Sequence, residues 1–359
     1  MPIPDPHLDR VSRIHGVRMV GDGLPAGDLA ASQRLSRWEE WFPFWADRAS
    51  CYERLAREAL ALGRPRSAGE LFWLASLAYH YAQFLWFHDL PTRAAGQRRK
   101  VELYREGGPL FAPPAERFDL PFEEGTIPGY LRLPPRCQGG VPVVLLLGGL
   151  ESTKEEGYLF ENRCLARGLA TCAFDGPGQG EAHTQFKLRP DFHRFTSAVV
   201  DWLETRAEVD RGRIGVVGRS LGGYYAVHSA AHEPRLRACV VWGVYYDLSY
   251  YDTMDERRRR GYAMVAGYDD PAEAGPYLRR AIDLAGHVEQ VRCPVYAVHG
   301  GQDELIPASH VDRLREGLKH NPDVIFDVIP NGDHCCHNLY HVVRPRMVDW
   351  LAERLGGER

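Results

Sequence analysis

After Pro114 the hydrophobic period of this chain changes, and that change limits its folding more than any other feature. FDLPFEEGTIPGYLRLP alternates with period two and reads as an antiparallel pair turning around Glu124 and Gly125. Strand-length apolar runs then alternate with helix-length amphipathic stretches. VPVVLLL from Val141, LATCAFD, RIGVVG, ACVVWGV, CPVYAVHG and DVIFDVIP are the strands. Between and after them come helical patterns over Tyr158 to Arg167, Asp191 to Glu208, the RSLGGYYAVHSAAH stretch, and Tyr340 to Leu355. Such alternation specifies a doubly wound, mostly parallel α/β sheet with helices on both faces.

Residues 1–113 read differently, as a helical domain. Leu35, Trp38, Phe42, Trp45, Ala49, Tyr52, Leu55, Ala59 and Leu62 recur at three and four, with Pro43 expected to kink or restart the helix. Gly63 and Pro65 signal a stop. SAGE at Ser67 to Glu70 fits a capping box opening a second helix that Asp89 to Pro91 closes, and a third spans Thr92 to Arg105. Five of the eight tryptophans (Trp38, Trp41, Trp45, Trp73 and Trp86) fall here, more aromatic surface than three separate helices could bury on themselves. The α/β domain is then 114–359. One segment of it breaks the alternation: two helical patterns, Asp252 to Val265 and Pro271 to Ala285, separate the strand ending near Val244 from the one starting at Pro294. An insertion there, about 248–290, sits over the end of the sheet where such folds bind ligands, and is expected to be a cap.

The net charge of -4 and pI near 6.4 supply no basic footprint for nucleic acid, so a small molecule is the expected partner. No apolar run approaches the roughly 20 residues of a membrane helix. The opening MPIPDPHLDRV lacks the basic start and apolar stretch of a secretory signal, and the expected location is the cytoplasm. Cysteines 51, 137, 164, 172, 239, 293, 335 and 336 show no CxxC spacing and are expected mostly as small core residues.

The chemistry starts at GRSLGG, Gly218 to Gly223. It fits G-x-S-x-G between a strand and a helix, a corner that lifts a serine hydroxyl above the sheet at the positive end of the following helix. Ser220 is therefore the candidate nucleophile. A hydroxyl needs a base, and the base needs a group to hold its tautomer. VHGGQDELIP places Asp303 in a loop directly after a buried strand, and NGDHCCHN places His334 just after the last one. The order serine, acid, histidine is thereby complete. The backbone N–H groups of Leu221 and of Leu150, in the GGLESTKEE loop, are placed to hold an oxyanion, with Glu151 as a neighbouring contact. HCCH invites a metal reading, but adjacent cysteines do not converge on one ion, so no metal and no cofactor are expected. A binding protein that had lost its chemistry would lack one of these parts.

GGLESTKEE, FDGPGQGEA, GRSLGG and VHGGQDELIP, with a helical N-terminal section and a cap, resemble the α/β-hydrolase group of 2,6-dihydroxypseudooxynicotine hydrolase-like enzymes, FrsA-like esterases and fungal yellowish-green-1-type polyketide-shortening hydrolases. The resemblance covers most of the chain from Arg117 onward. It implies an α/β-hydrolase fold and a serine hydrolase, often a homodimer, with its site between the sheet, the cap and the N-terminal helices. Several members cleave a carbon-carbon bond beside a carbonyl, with an extra acid on the cap side. Here that region reads VYYDLSYYD. Asp247 and Asp252 are the candidate acids, and Tyr245, Tyr250 and Tyr251 candidate pocket residues. A carboxylesterase, a thioesterase or a lactone-forming acyl transferase acting on a polyketide-like substrate is the alternative. Arg257 to Arg260 read as the solvated face of a cap helix.

Overall fold

The computed structural model describes residues 5–135 and 139–358, so Cys137 lies outside the described residues. The chain divides into two compact units: one runs up to Arg117 and takes in Glu155–Leu159, and the other comprises Phe118–Lys154 and Phe160 onward.

The first unit holds helices α1 (Pro6–Asp22), α2 (Ala26–Ser32), α3 (Trp41–Ala61), α4 (Pro65–Ala82) and α5 (Leu90–Gly107). The helical reading of this section holds, with corrections at its boundaries. Helix α3 starts at Trp41, not near Leu35, so Pro43 falls in its first turn, where a missing N–H costs nothing and no kink is needed. The capping box at Ser67 is not used. Helix α4 begins at Pro65, whose fixed φ suits a first helical position, and no side chain caps it. Asp89 does cap α5, accepting the Thr92 N–H at 3.0 Å. The tryptophans expected to need a partner are largely packed on one another. Trp38 stacks on Trp41 at 5.3 Å and lies 5.6 Å from Trp86, and Trp41 donates its indole N–H to the Tyr81 carbonyl at 2.8 Å. Buried charges are paired: Arg18 with Glu156 at 2.9 Å, Lys100 with Glu155 at 3.2 Å. Those two glutamates belong to the short Glu155–Leu159 segment, which a boundary drawn at 113 does not anticipate.

The second unit carries strands β1 (Ala115–Phe122), β2 (Gly125–Arg132), β3 (Val141–Leu147), β4 (Ala170–Phe174), β5 (Val209–Arg219), β6 (Leu236–Trp242), β7 (Val295–Gly300) and β8 (Val324–Ile329). Its helices are α6 (Tyr158–Leu165), α7 (Phe192–Leu203), α8 (Leu221–His232), α9 (Glu256–Ala266), α10 (Pro271–Ala281), α11 (Ser309–Gly317) and α12 (Tyr340–Leu355). The first residues of β1 and α6 fall with the other unit. The strands form one sheet in the order β1-β2-β4-β3-β5-β6-β7-β8; β2 meets β4 antiparallel, and every pairing from β4 to β8 is parallel. Central strands are near-continuous apolar runs because both faces are covered. Val143, Val144 and Leu145 of β3 and Val216 of β5 are fully buried, whereas edge strand β8 leaves Ile325 and Val328 exposed. Strand order reverses at β3, so the loops leaving β3 and β5 open the crevice where such sheets bind ligands. Helices α9 and α10 form the insertion between β6 and β7, each shorter than expected: Asp255 caps the first so that it starts only at Glu256, and Ile282 leaves helical geometry after the second. Among the described residues, no helix is long and apolar enough to cross a membrane.

Candidate active site

Strand β5 ends at Arg219 and α8 starts at Leu221, so Ser220 alone makes the corner. Its backbone stands at φ 58° and ψ −122°, a conformation costing a non-glycine residue about 1–3 kcal/mol. Hydrogen bonds fix it on both sides: the Ser220 N–H donates to the Trp242 carbonyl at 2.8 Å, and its own carbonyl accepts from the Gly223 N–H at 2.7 Å. A side chain at Gly222 would strike the Leu147 carbonyl at the end of β3, which explains the glycine there. No side chain caps α8, so its first N–H groups, Leu221 among them, face the serine with no side-chain acceptor.

Asp303 lies just past β7 and His334 past β8, and both reach the corner. The Ser220 hydroxyl oxygen is 3.0 Å from His334 Nε2, and His334 Nδ1 is 2.8 Å from Asp303 Oδ2. The second Asp303 oxygen accepts the N–H groups of Leu305 at 2.8 Å and Ile306 at 2.9 Å, leaving the first for the imidazole. This network assigns the His334 proton to Nδ1 and leaves Nε2 as the acceptor facing Ser220. Burial alone would raise the Asp303 carboxyl, but the His334 ring and the backbone donors outweigh it and hold it below the usual range. Burial likewise disfavours a charged His334, and the Asp303 carboxylate, helped by the adjacent Cys335 sulfur, reverses the balance and raises its pKa.

Cys335 and Cys336 adopt left-handed backbones (φ 57° and 52°), and both are fully buried in the core cluster with Trp242, Met347 and Trp350. Cys335 Sγ also lies 3.5 Å from His334 Nε2 and 3.4 Å from the Trp242 carbonyl, a contact with the imidazole that sequence reading did not anticipate.

The loop after β3 packs directly on the corner. A Cβ on Gly149 would stand 2.9 Å from the Arg219 carbonyl and 3.2 Å from Ser220 Cβ, so only glycine allows this approach. The neighbouring polar loops hold it there. Gln179 donates its amide to the Gly148 carbonyl at 2.7 Å while accepting from the Gly176 N–H at 2.9 Å. The fully buried Lys154 ammonium reaches Asp175 at 2.8 Å and Glu181 at 2.6 Å, and its backbone N–H adds a bond to Asp175 at 2.9 Å. GQGE, Asp175 and Lys154 thus form one structural bracket around Gly148–Leu150.

The cap-side candidates separate. Tyr245 and Tyr262 share a hydroxyl hydrogen bond at 2.6 Å, and Tyr250 accepts from the Arg258 guanidinium at 3.4 Å. Tyr250 lies within electrostatic reach of Asp303, and Tyr262 within reach of the buried Glu151. Burial raises the phenol pKa of Tyr245, Tyr250 and Tyr262, keeping all three as neutral hydroxyls. Tyr251 differs: its hydroxyl donates to the Pro271 carbonyl at 2.8 Å and the Arg259 carbonyl at 3.3 Å, tying α9 to α10. Asp252 is corrected as a candidate acid, since its side chain is 73% exposed and pairs with Arg279 at 2.7 Å. Asp247 is buried but already bound to Arg313 and to the Ser249 N–H. Arg258 is a residue that sequence reading missed inside the RRRR run. Arg260 on the outer face pairs with Glu256, whereas Arg258 and Tyr262, four apart, share the inner face, a spacing that could have revealed it. A groove of about 750 Å³ lies elsewhere, lined by Tyr246, Arg292, Arg313 and neighbouring charges; it contains none of the three residues at the corner.

The family described as Esterase FrsA-like matches residues 35–256, and the Dienelactone hydrolase family matches residues 180–341. The chain is 43% identical to 2,6-dihydropseudooxynicotine hydrolase of Paenarthrobacter nicotinovorans over 94% of its own length and 91% of that protein. It is 37% identical to the alpha/beta hydrolase psoB of Aspergillus fumigatus over 89% of this chain and 86% of that one. Among solved structures, the 2,6-dihydroxy-pseudo-oxynicotine hydrolase superposes with a TM-score of 0.88 at 43% identity, covering 95% of both chains. AbyA5, at 22% identity and a TM-score of 0.77 over 98% of this chain and 95% of that one, shares the fold.

Proposed function

Because the chain belongs to the FrsA-like esterase family of α/β-hydrolases and is a hydrolase, we propose that it uses Ser220, His334 and Asp303 to hydrolyse a carbon-carbon bond beside a carbonyl in an aryl ketone or polyketide-like small molecule. The observation that carries the reading is the continuous hydrogen-bonded line from Ser220 Oγ through His334 to Asp303, at 3.0 and 2.8 Å. In this scheme His334 Nε2 takes the hydroxyl proton as Ser220 Oγ attacks the ketone carbon. The N–H groups of Leu221 and Leu150 receive the oxyanion, each such donor stabilising the transition state by about 3–4 kcal/mol. Asp303 supports the imidazolium without taking its proton. When the adduct collapses, the carbon-carbon bond breaks, its electron pair leaves with the departing carbon as an enol or stabilised carbanion, and the imidazolium returns the proton to that fragment. Water, deprotonated by His334, then releases the acyl group from Ser220 as a carboxylic acid.

The cap supports an aryl or polyketide-like substrate. Tyr245, Tyr250 and Tyr262 supply neutral hydroxyls beside Arg258, suited to oxygenated rings whose negative charge grows as the bond breaks. Two relatives are named for oxygenated organic substrates, 2,6-dihydropseudooxynicotine hydrolase and the 20-hydroxy-prefusarin hydrolase of Gibberella moniliformis, which accords with this class.

A second reading, an ester, thioester or lactone as substrate, is favoured by the state of the cap-side acids. Asp247 is held by Arg313 and Asp252 faces outward, and an alkoxide or thiolate leaves without any help from them. Product masses from aryl ketones, polyketide pyrones and simple esters, with Ser220→Ala as control, separate the two. Fragmented ketones support the first reading; turnover confined to esters replaces it with the second.

A further inference from the structure

Four histidines meet where α7 packs on α8, and nothing in the proposed reaction uses them. His228 and His232 stand four apart in HSAAH, so they project from one face of α8. His193 opens α7, and His287 comes from the loop before β7. Ring centroids lie 4.3 Å apart for His193 and His232, 4.8 Å for His228 and His232, and 5.1 Å for His193 and His228. One nitrogen from each of these three rings lies within 4.8 Å of the others. His287 Nδ1 meets His232 Nε2 at 2.8 Å.

We propose that His193, His228 and His232 bind one borderline divalent transition metal, Zn²⁺ foremost, with His287 orienting His232 from outside the coordination sphere. Neutral imidazoles are the ligand set this class of ion prefers, and two on one helix face plus a third from a neighbouring helix is a standard way to converge them. The orphaned nitrogens give an independent reason. Nδ1 of His228, a residue only 2% exposed, and Nδ1 of His193 are buried with no hydrogen-bond partner among the described residues. A buried polar atom in that state is destabilising, and a metal bound there would satisfy it. The nearby carboxylates are each held by an arginine: Asp191 pairs with Arg189 at 2.5 Å and Glu233 with Arg235 at 2.6 Å.

The helices are already fastened beside the cluster by Thr196 Oγ1 and Ser229 Oγ at 2.8 Å, so the backbone is set. Tetrahedral zinc with bonds of 2.0–2.1 Å wants its nitrogens about 3.3 Å apart. Imidazole χ2 is a broad torsion, and turning the rings closes that gap. Along α8 the cluster lies about 12–18 Å from Ser220, so the ion would clamp α7 to α8 and take no part in catalysis.

The test uses untagged full-length protein stripped with a chelator and titrated with Co²⁺ as a spectroscopic probe. Expected are one Co²⁺ per chain, visible d–d bands without a thiolate charge-transfer band, and displacement by Zn²⁺. His232→Ala should abolish the signal and His287→Ala weaken it by about 10–100-fold. His193→Gln, at a half-buried position, should also lose it while keeping hydrolase activity and the circular dichroism of the wild type. Failure of the wild type to bind one equivalent overturns the proposal. So does a thiolate band, or binding unchanged in both His232→Ala and His193→Gln.

Discussion

At the scale of single residues, the proposed reaction depends on a proton passed between Ser220 and His334 and on the charge of Asp303 beside the ring. Ser220→Ala should lower kcat by about a millionfold, and Asp303→Asn by about 10⁴-fold with KM little changed, in steady-state assays on the substrate that the product screen identifies. The sign of the pH response follows from the raised pKa of His334. In the proposed reaction the neutral ring is the base, so activity should be lost as pH falls through a midpoint above the ordinary imidazole value of about 6.5. Asp303→Asn removes the charge that raises it, and the acid limb of its residual kcat/KM should move downward; a limb that stays in place would show that another group controls it. Ser220, Asp303 and His334 were legible in the sequence because each has a local signal, a corner motif or a place directly after a strand. Asp247 and Asp252 were not, because what an acid can do depends on its partner. Arg313 and Arg279 come from distant stretches of chain. Arg258 was hidden among three like neighbours, and its spacing of four from the buried Tyr262 is the signal that marks it.

At the scale of elements, the loop after β3 depends on a buried bracket. Lys154→Met would leave Asp175 and Glu181 facing each other without a cation, and should cost about 3–5 kcal/mol in denaturant unfolding. The same variant should depress kcat more than KM, because the loop it loosens carries the Leu150 N–H. In the cap, Tyr251→Phe removes the hydroxyl joining α9 to α10 and should lower stability by about 1 kcal/mol, seen as a small fall in Tm. Arg258→Met instead should raise KM for oxygenated aryl substrates with little change in Tm, which separates a substrate contact from a structural one. Element identity was readable throughout the sheet from apolar runs and their spacing. Element ends were less so. Pro43 and Pro65 read as interruptions but act as starts, since proline breaks a helix only beyond its first turn.

At the scale of the whole molecule, the sequence carried the doubly wound sheet, the place of the insertion and the family, since each rests on patterns repeated along the chain. It did not carry the assignment of Glu155–Leu159 to the helical unit, because that rests on Arg18 and Lys100, which are far away in sequence. Nor did it carry the histidine cluster, whose members come from three separate segments. The central claim is that Ser220 is an activated nucleophile. Its most direct test is the intact mass, and the mass of the Ser220 peptide, after brief exposure to a fluorophosphonate probe at neutral pH. The account predicts a single adduct on Ser220 that Ser220→Ala lacks and that forms far more slowly in His334→Ala. An unmodified wild-type protein, under conditions that label a control serine hydrolase, would contradict it.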